Sequence, residues 1–249
     1  MPSIKDFNRF GEELERRLLL KTSPVAVKML ASEADIPDGS VRPKQDRGHL
    51  AQCQAFAYSR RDRETVAMLK EDNWCPAPVM AYGLEPKPDH SRASGHVYDT
   101  FEPGKYIGIL SSPLSKAKFA PDVVIIYSDT GQLRRLLLAM RPEEIPLVSG
   151  HYFPPSCAHA VVTPMLTGEY RVVIPDPGEY ARALSGDDEI MFAIPKDRIE
   201  TLVADLIEAQ DRNLPFARES MIMSPDFPQP ELYKNIFKAW GMDVEGKKG

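Results

Sequence analysis

Three cysteines, Cys53, Cys75 and Cys157, and the two histidines beside them, His49 and His159, are the residues whose types could meet at one chemical centre. A thiolate ligates metal and attacks carbon or sulfur, and its pKa falls at a helix N-terminus or beside a cation. Cys157 follows Pro154-Pro155-Ser156, residue types that start helices, so its thiol falls in a first turn with His159 two residues on. His49 lies one helical turn before Cys53 and shares its face if the segment is helical. Cys75 stands between Trp74 and Pro76, in a loop whose amides could hydrogen-bond a cluster's sulfides or an anion.

Three reduced thiols from distant segments fit an iron-sulfur cluster with one iron left to a non-cysteine ligand, serving redox or Lewis-acid chemistry on a small molecule. Zinc held by three cysteines and a histidine is the second choice. The spacing lacks the close cysteine pairs of ferredoxins and zinc fingers, so it does not by itself define a metal. In the alternative, the cysteines are packing residues, because free cysteine is among the most buried types, and the chain is a non-enzymatic binder of a small molecule or cofactor. His49 and His159 are the candidate proton donors, and Trp74 and Lys28 the candidate ligand contacts.

The rest of the composition narrows the class. An odd number of cysteines cannot close a full set of internal disulfides, which points to reduced thiols and a cytoplasmic setting. With 31 basic and 36 acidic residues the formal charge is -5, which does not suit nucleic acid or an anionic membrane. No apolar run approaches the ~20 residues that cross a bilayer, and the charged start MPSIKDFNRFGEELERR does not read as a signal peptide. Zincin, nucleophile-elbow, P-loop and dinucleotide-binding motifs are absent from the sequence. At 249 residues, 43% of them apolar, the chain can bury a core without metal or disulfide staples.

Elements must bring the candidates together. Ile4, Phe7, Phe10, Leu14 and Leu18 form a helical stripe over Ile4 to Leu20, which Ser23-Pro24 stops. Val25 to Leu30 reads as a strand, His49 to Tyr58 as the Cys53 helix, Thr65 to Leu69 as a strand, and Glu71 to Pro78 as a tight loop holding Cys75. After the polar stretch Glu85 to Glu102, in which His90 and His96 read as solvated, Tyr106 to Leu110 is a third strand. The order then begins again. Asp122 to Ser128 is a strand, Asp129 caps a helix over Leu133 to Met140, and His151 sits in a loop before the Cys157 helix, Pro155 to Met165. Tyr170 to Pro175 and Ile190 to Pro195 are strands, and Ile199, Leu202, Val203, Leu206 and Ile207 mark an amphipathic helix.

The predicted fold is α/β (or α+β): two similar strand-helix-strand halves related by a pseudo-two-fold, with mixed sheets and flanking helices. Residues 1–115 and 116–213 are the halves of one compact unit, and 214–249 a Pro-rich linker and terminal helix. The step from Cys53 to Cys75, repeated from Cys157, reaches Glu179 in the turn Pro175-Asp-Pro-Gly-Glu-Tyr180. Leu232, Ile236, Phe237 and Trp240 give the terminal helix an apolar stripe for the chain's own body or, swapped, for a homodimer. Arg60-Arg61-Asp62-Arg63 and Asp187-Asp188-Glu189 read as solvated charged turns.

The Ser23 to Lys28 strand, the Cys53 helix, Asn73-Trp-Cys75-Pro with Tyr82-Gly83-Leu84, the Pro121-Asp-Val-Val-Ile strand, Ser156-Cys157 and Asp188 to Pro195 together resemble the DUF169 family of prokaryotic proteins without an assigned function. The resemblance runs from about Leu20 to about Leu206 and implies that cysteines at these three places belong to the family's pattern. It implies no activity.

Overall fold

A computed structural model describes residues 2–88, 98–152, 154–211 and 229–242. Helix α1 (Ile4–Leu18) leads into strand β1 (Val25–Leu30), the short helices α2 (Pro43–Asp46) and α3 (Gln52–Ala57), strand β2 (Val66–Leu69), helix α4 (Pro76–Ala81) and strand β3 (Gly108–Pro113). The second half runs β4 (Val123–Ser128), α5 (Thr130–Ala139), β5 (Val148–His151), α6 (Ser156–Thr167), β6 (Tyr170–Val173), α7 (Pro177–Ala183), β7 (Ile190–Pro195) and α8 (Ile199–Asp211). Residues Met1–Arg212 form one compact unit and Asn213–Gly249 a second, whose helix α9 (Glu231–Ala239) exposes Leu232, Tyr233 and Ile236. His90, His96 and most of the Pro-rich segment before α9 lie outside the described residues.

One seven-stranded sheet, in the order β2-β3-β1-β4-β7-β6-β5, joins both halves. Neighbouring strands are antiparallel except β5 and β6, which run parallel. The central strands VAVKML, VVIIYS and IMFAIP are nearly continuous apolar runs because helices cover both faces of the sheet. Leu14 and Leu18 of α1, Leu136 of α5 and Leu206 of α8 pack on one face. Phe56 of α3, Ala81 of α4 and Val161 of α6 pack on the other. Helix α6 is buried along nearly its whole length, as its all-round apolar sequence requires.

The pairing register shows the pseudo-two-fold. Val25 faces Ile125 and Val27 faces Val123 across the β1–β4 seam, so exchanging the halves leaves the seam unchanged. The same exchange carries the β1–β3 pair onto β4–β7, and β2–β3 onto β6–β7. Even the parallel β5–β6 pair has a counterpart, the parallel bridge between Val41 and Val66. Helices cross the seam reciprocally: α3 of the first half packs on α7 of the second, and α6 of the second on α4 of the first.

Several local readings change. Strand β5, helix α4 and helix α7 stand where loops and a turn were predicted. Helix α3 begins at Gln52 and widens into a π-type turn over Tyr58–Asp62, so His49 lies before it rather than on its Cys53 face. The charged turn is not all solvated. Arg60 is 1% exposed, its guanidinium paired with both oxygens of Glu189 at 2.6 and 2.9 Å and lying 4.0 Å over the Tyr127 ring. No helix among the described residues is long and apolar enough to cross a membrane.

Candidate functional site

Four helices begin at one place. The starts of α3, α4, α6 and α7 border a cleft of about 220 Å³, lined by Ala51, Gln52 and Cys53, by Cys75, Ala77 and Pro78, by Pro154 to Cys157, and by Asp176, Pro177, Gly178 and Arg182. Each start is written in the sequence. Pro76 and Pro177 open α4 and α7, where the missing proline N–H loses no helical bond. Pro155 is the N-cap of α6, which places Ser156 and Cys157 in its first turn. The pseudo-two-fold relates α3 to α6 and α4 to α7, so Gln52-Cys53 and Ser156-Cys157 are counterparts in the lining.

The first amides of a helix have no partner within it and carry partial positive charge. Asp176 already answers this at two of the four helices. Its Oδ1 accepts from the N–H groups of Gly178 and Glu179 at 2.7 and 3.0 Å, and its Oδ2 from that of Ser156 at 2.8 Å. Two polar side chains are buried behind the wall and present no polar surface to the cleft. Gln52 and Ser156 are each 1% exposed, and among the described residues neither the Gln52 amide Oε1 and Nε2 nor the Ser156 Oγ has a hydrogen-bond partner.

The thiols differ from one another. Burial, with Glu179 and Asp176 nearby, pushes Cys53 up to about 12, and its Sγ donates to the Gly178 carbonyl at 3.7 Å. Burial likewise pushes Cys157 well up, with Cys53 and Asp176 adding to the effect. Cys75 is only half-buried and has the Arg182 guanidinium 4.0 Å from its sulfur. Beneath the cleft, Glu179 is 1% exposed and burial pushes its carboxyl up to about 8, against the opposing hydrogen bond from the Tyr127 hydroxyl at 2.9 Å.

These positions overturn the three-cysteine metal site. All three residues border the cleft, but among the described residues no three His, Cys, Asp or Glu side chains are grouped as ligands to one ion. The physical reason lies in the surroundings of the thiols: the Cys53 Sγ donates to the Gly178 carbonyl at 3.7 Å, and the Cys75 sulfur has the Arg182 guanidinium 4.0 Å away, a cation that opposes a second positive charge there.

The other sequence candidates lie away from the cleft wall. His49 is exposed and its ring sits 5.0 Å from that of Trp74, itself 76% exposed. His159, two residues beyond Cys157, turns toward the His151 ring at 3.5 Å and the Tyr98 ring at 6.5 Å; burial lowers its pKa to about 4. Lys28 shares a face with Ala26 and Leu30 and so points to the side of the sheet covered by α1, α5 and α8, opposite the cleft. Sequence reasoning named Ser156 only as a helix-start residue, a place Pro155 takes as the N-cap, and did not single out Gln52, Asp176 or Arg182. The pair Asp176-Pro177 is a helix-start signal that the surrounding prolines obscured; a glutamine in a helix carries no signal of its own.

A pseudo-two-fold α/β protein whose seven-stranded sheet carries, on one face, a cleft between the helix starts of its halves is the class defined by this fold and site. The chain belongs to the DUF169 family, described as an uncharacterised ArCR family, whose model matches twice in succession, over residues 13–102 and 96–205. No curated protein and no solved structure matches the chain.

Proposed function

We propose that the chain binds a small organic molecule in the cleft between the starts of α3, α4, α6 and α7. The observation that carries the reading is a cleft shared by both halves whose wall sets the charged residues Arg182 and Asp176 among apolar ones. The remaining walls, of proline, alanine and cysteine, fit the apolar body of a ligand, a mixture common in small-molecule sites. The cysteines take part as wall residues. The halves themselves, matched in turn by one family model, are inferred to descend from a duplicated unit.

Cys75 gives a direct test, because it borders the cleft and is the thiol least buried there. Small-molecule fragments that raise Tm are expected to slow iodoacetamide labelling of Cys75 as they saturate. If every stabilising fragment leaves that rate unchanged, the ligand site lies elsewhere.

A further inference from the structure

We propose that the cleft takes a small zwitterion with an apolar body, an α-amino acid, whose carboxylate pairs with Arg182 and whose ammonium faces Asp176. This rests on the cleft being the binding site and names the chemistry it selects. Arg182 and Asp176 are the charged residues of the lining, and they bear opposite signs.

Neither charge is answered by the other. The Arg182 side chain is exposed, and among the described residues its guanidinium has no carboxylate partner and lies 4.0 Å from the Cys75 sulfur. Asp176 takes two helix amides on Oδ1 and one on Oδ2. A carboxylate has about four acceptor sites, so Oδ2 keeps one for a further donor.

The space beside both groups is held open by Gly178, itself part of the lining. A side-chain carbon at that position would fall 2.9 Å from the Asp176 Oδ1 and 3.6 Å from the Arg182 Nη1. One small place is therefore within reach of a carboxylate and a guanidinium at once. An anionic head there pairs with Arg182 but sets its charge against Asp176, and a cationic head does the reverse. A neutral head leaves the guanidinium unpaired. An α-amino acid answers both, because its ammonium and carboxylate branch from a single carbon.

The rest of the wall suits an aliphatic side chain, with Ala51, Ala77, Pro78 and Pro154 around the charged pair. Size agrees with chemistry. An apolar cavity of about 150 Å³ admits benzene, so the cleft of about 220 Å³ accommodates a branched aliphatic side chain with its head group.

The test uses four probes with the same branched body on the full chain at neutral pH: L-leucine, isocaproate, which lacks the ammonium, isoamylamine, which lacks the carboxylate, and the neutral isocaproamide. Binding is read by calorimetry, and occupancy of the cleft by the alkylation rate of Cys75 with and without probe. L-Leucine is expected to bind at least about tenfold tighter than the other three, since each of them loses a hydrogen bond to a charged group. Arg182→Gln, on an exposed side chain, is expected to bring L-leucine down to the level of isoamylamine. Arg182→Lys keeps the charge without the planar fork and is expected to restore part of the loss. Asp176→Asn is expected to remove the advantage of L-leucine over isocaproate; should that variant fail to fold, the ratio of the two in the natural chain carries this arm.

Isocaproate or isoamylamine binding as tightly as L-leucine while protecting Cys75 would overturn the zwitterion and leave the cleft standing. A preference for L-leucine that survives Arg182→Gln also overturns it. If none of the four protects Cys75 while stabilising fragments do, the zwitterion falls and the cleft stands; if the fragments fail as well, both readings fall.

Discussion

Cys53 and Cys75 border the same cleft yet should behave as different chemical species. A thiol held at about 12 is on the order of one part in ten thousand thiolate at pH 8, and only the thiolate alkylates. Cys75, half-buried beside Arg182, is therefore expected to react with iodoacetamide at least about a hundredfold faster than Cys53 or Cys157. Site-resolved mass spectrometry reads this, and equal rates at the three positions would contradict the assignment. Two other buried groups set the pH dependence. Glu179 titrates near 8 in the fold against 4.5 as its ordinary value, so the folded state holds the proton more tightly and stability falls as pH rises between those values. His159 titrates near 4 against 6.5, so its contribution has the opposite sign: stability rises with pH from about 4 to 6.5. The two slopes oppose one another between about 4.5 and 6.5, and from there to about 8 the Glu179 loss stands alone. Denaturation across pH 4 to 9 is expected to show a decline from about 6.5 to 8 that Glu179→Gln abolishes. A decline that survives that substitution would place its origin in another group.

The same scale shows what one sequence could disclose. The run Arg60-Arg61-Asp62-Arg63 reads as solvated because charge usually is. Its first member is instead held against Glu189 and Tyr127, partners brought from the other half by the fold. Nothing in the local spacing announces a partner so remote. Replacing Arg60 by alanine leaves Glu189 without its bidentate partner, and breaking such a buried pair costs about 3–5 kcal/mol. Urea unfolding is expected to show a loss of that size, and a loss below about 1 kcal/mol would mean the pair is effectively solvated.

At the scale of elements, the helices α1, α3, α5, α6 and α8 and every strand but β5 were legible, and the short helices α2, α4 and α7 were not. Val25–Leu30 and Ile190–Pro195 have the bounds their apolar runs predict, and Asp129 caps α5 through the Gln132 N–H at 2.8 Å as expected. Strand β5 was unreadable because Val-Ser-Gly-His has no apolar alternation; it is a strand only through its parallel pairing with β6. Helix α7 carried its signal in Asp176-Pro177, obscured by the prolines around it. That aspartate has an unusual reach, since it caps its own helix and also takes the Ser156 N–H at the start of α6. Alanine at an N-cap costs about 1 kcal/mol. Asp176→Ala is expected to cost about 2 kcal/mol or more because two helix starts depend on it, against about 1 for Asp129→Ala. Equal losses in the two variants would mean that the bond to α6 contributes nothing.

For the whole molecule, the repeated order of elements foretold the pseudo-two-fold, and the family model matching twice agrees with it. What the repeat could not disclose is how the halves interlock. The reciprocal packing of α3 on α7 and of α6 on α4 is a contact between distant segments, and it is this packing that turns four separate helix starts into one cleft. The metal-site expectation failed at the same point. Spacing along the chain located the three cysteines but not the Gly178 carbonyl beside Cys53 or the Arg182 guanidinium beside Cys75.

The central claim, that this cleft is the ligand site, is tested most directly by amide chemical-shift mapping of the isotopically labelled chain titrated with a fragment that raises its Tm. The account expects saturable shifts concentrated at Gln52, Cys53, Cys75, Ser156, Cys157 and Gly178, which lie in both halves and far apart in sequence. Shifts confined to one half, or centred on residues outside these four helix starts, would contradict it.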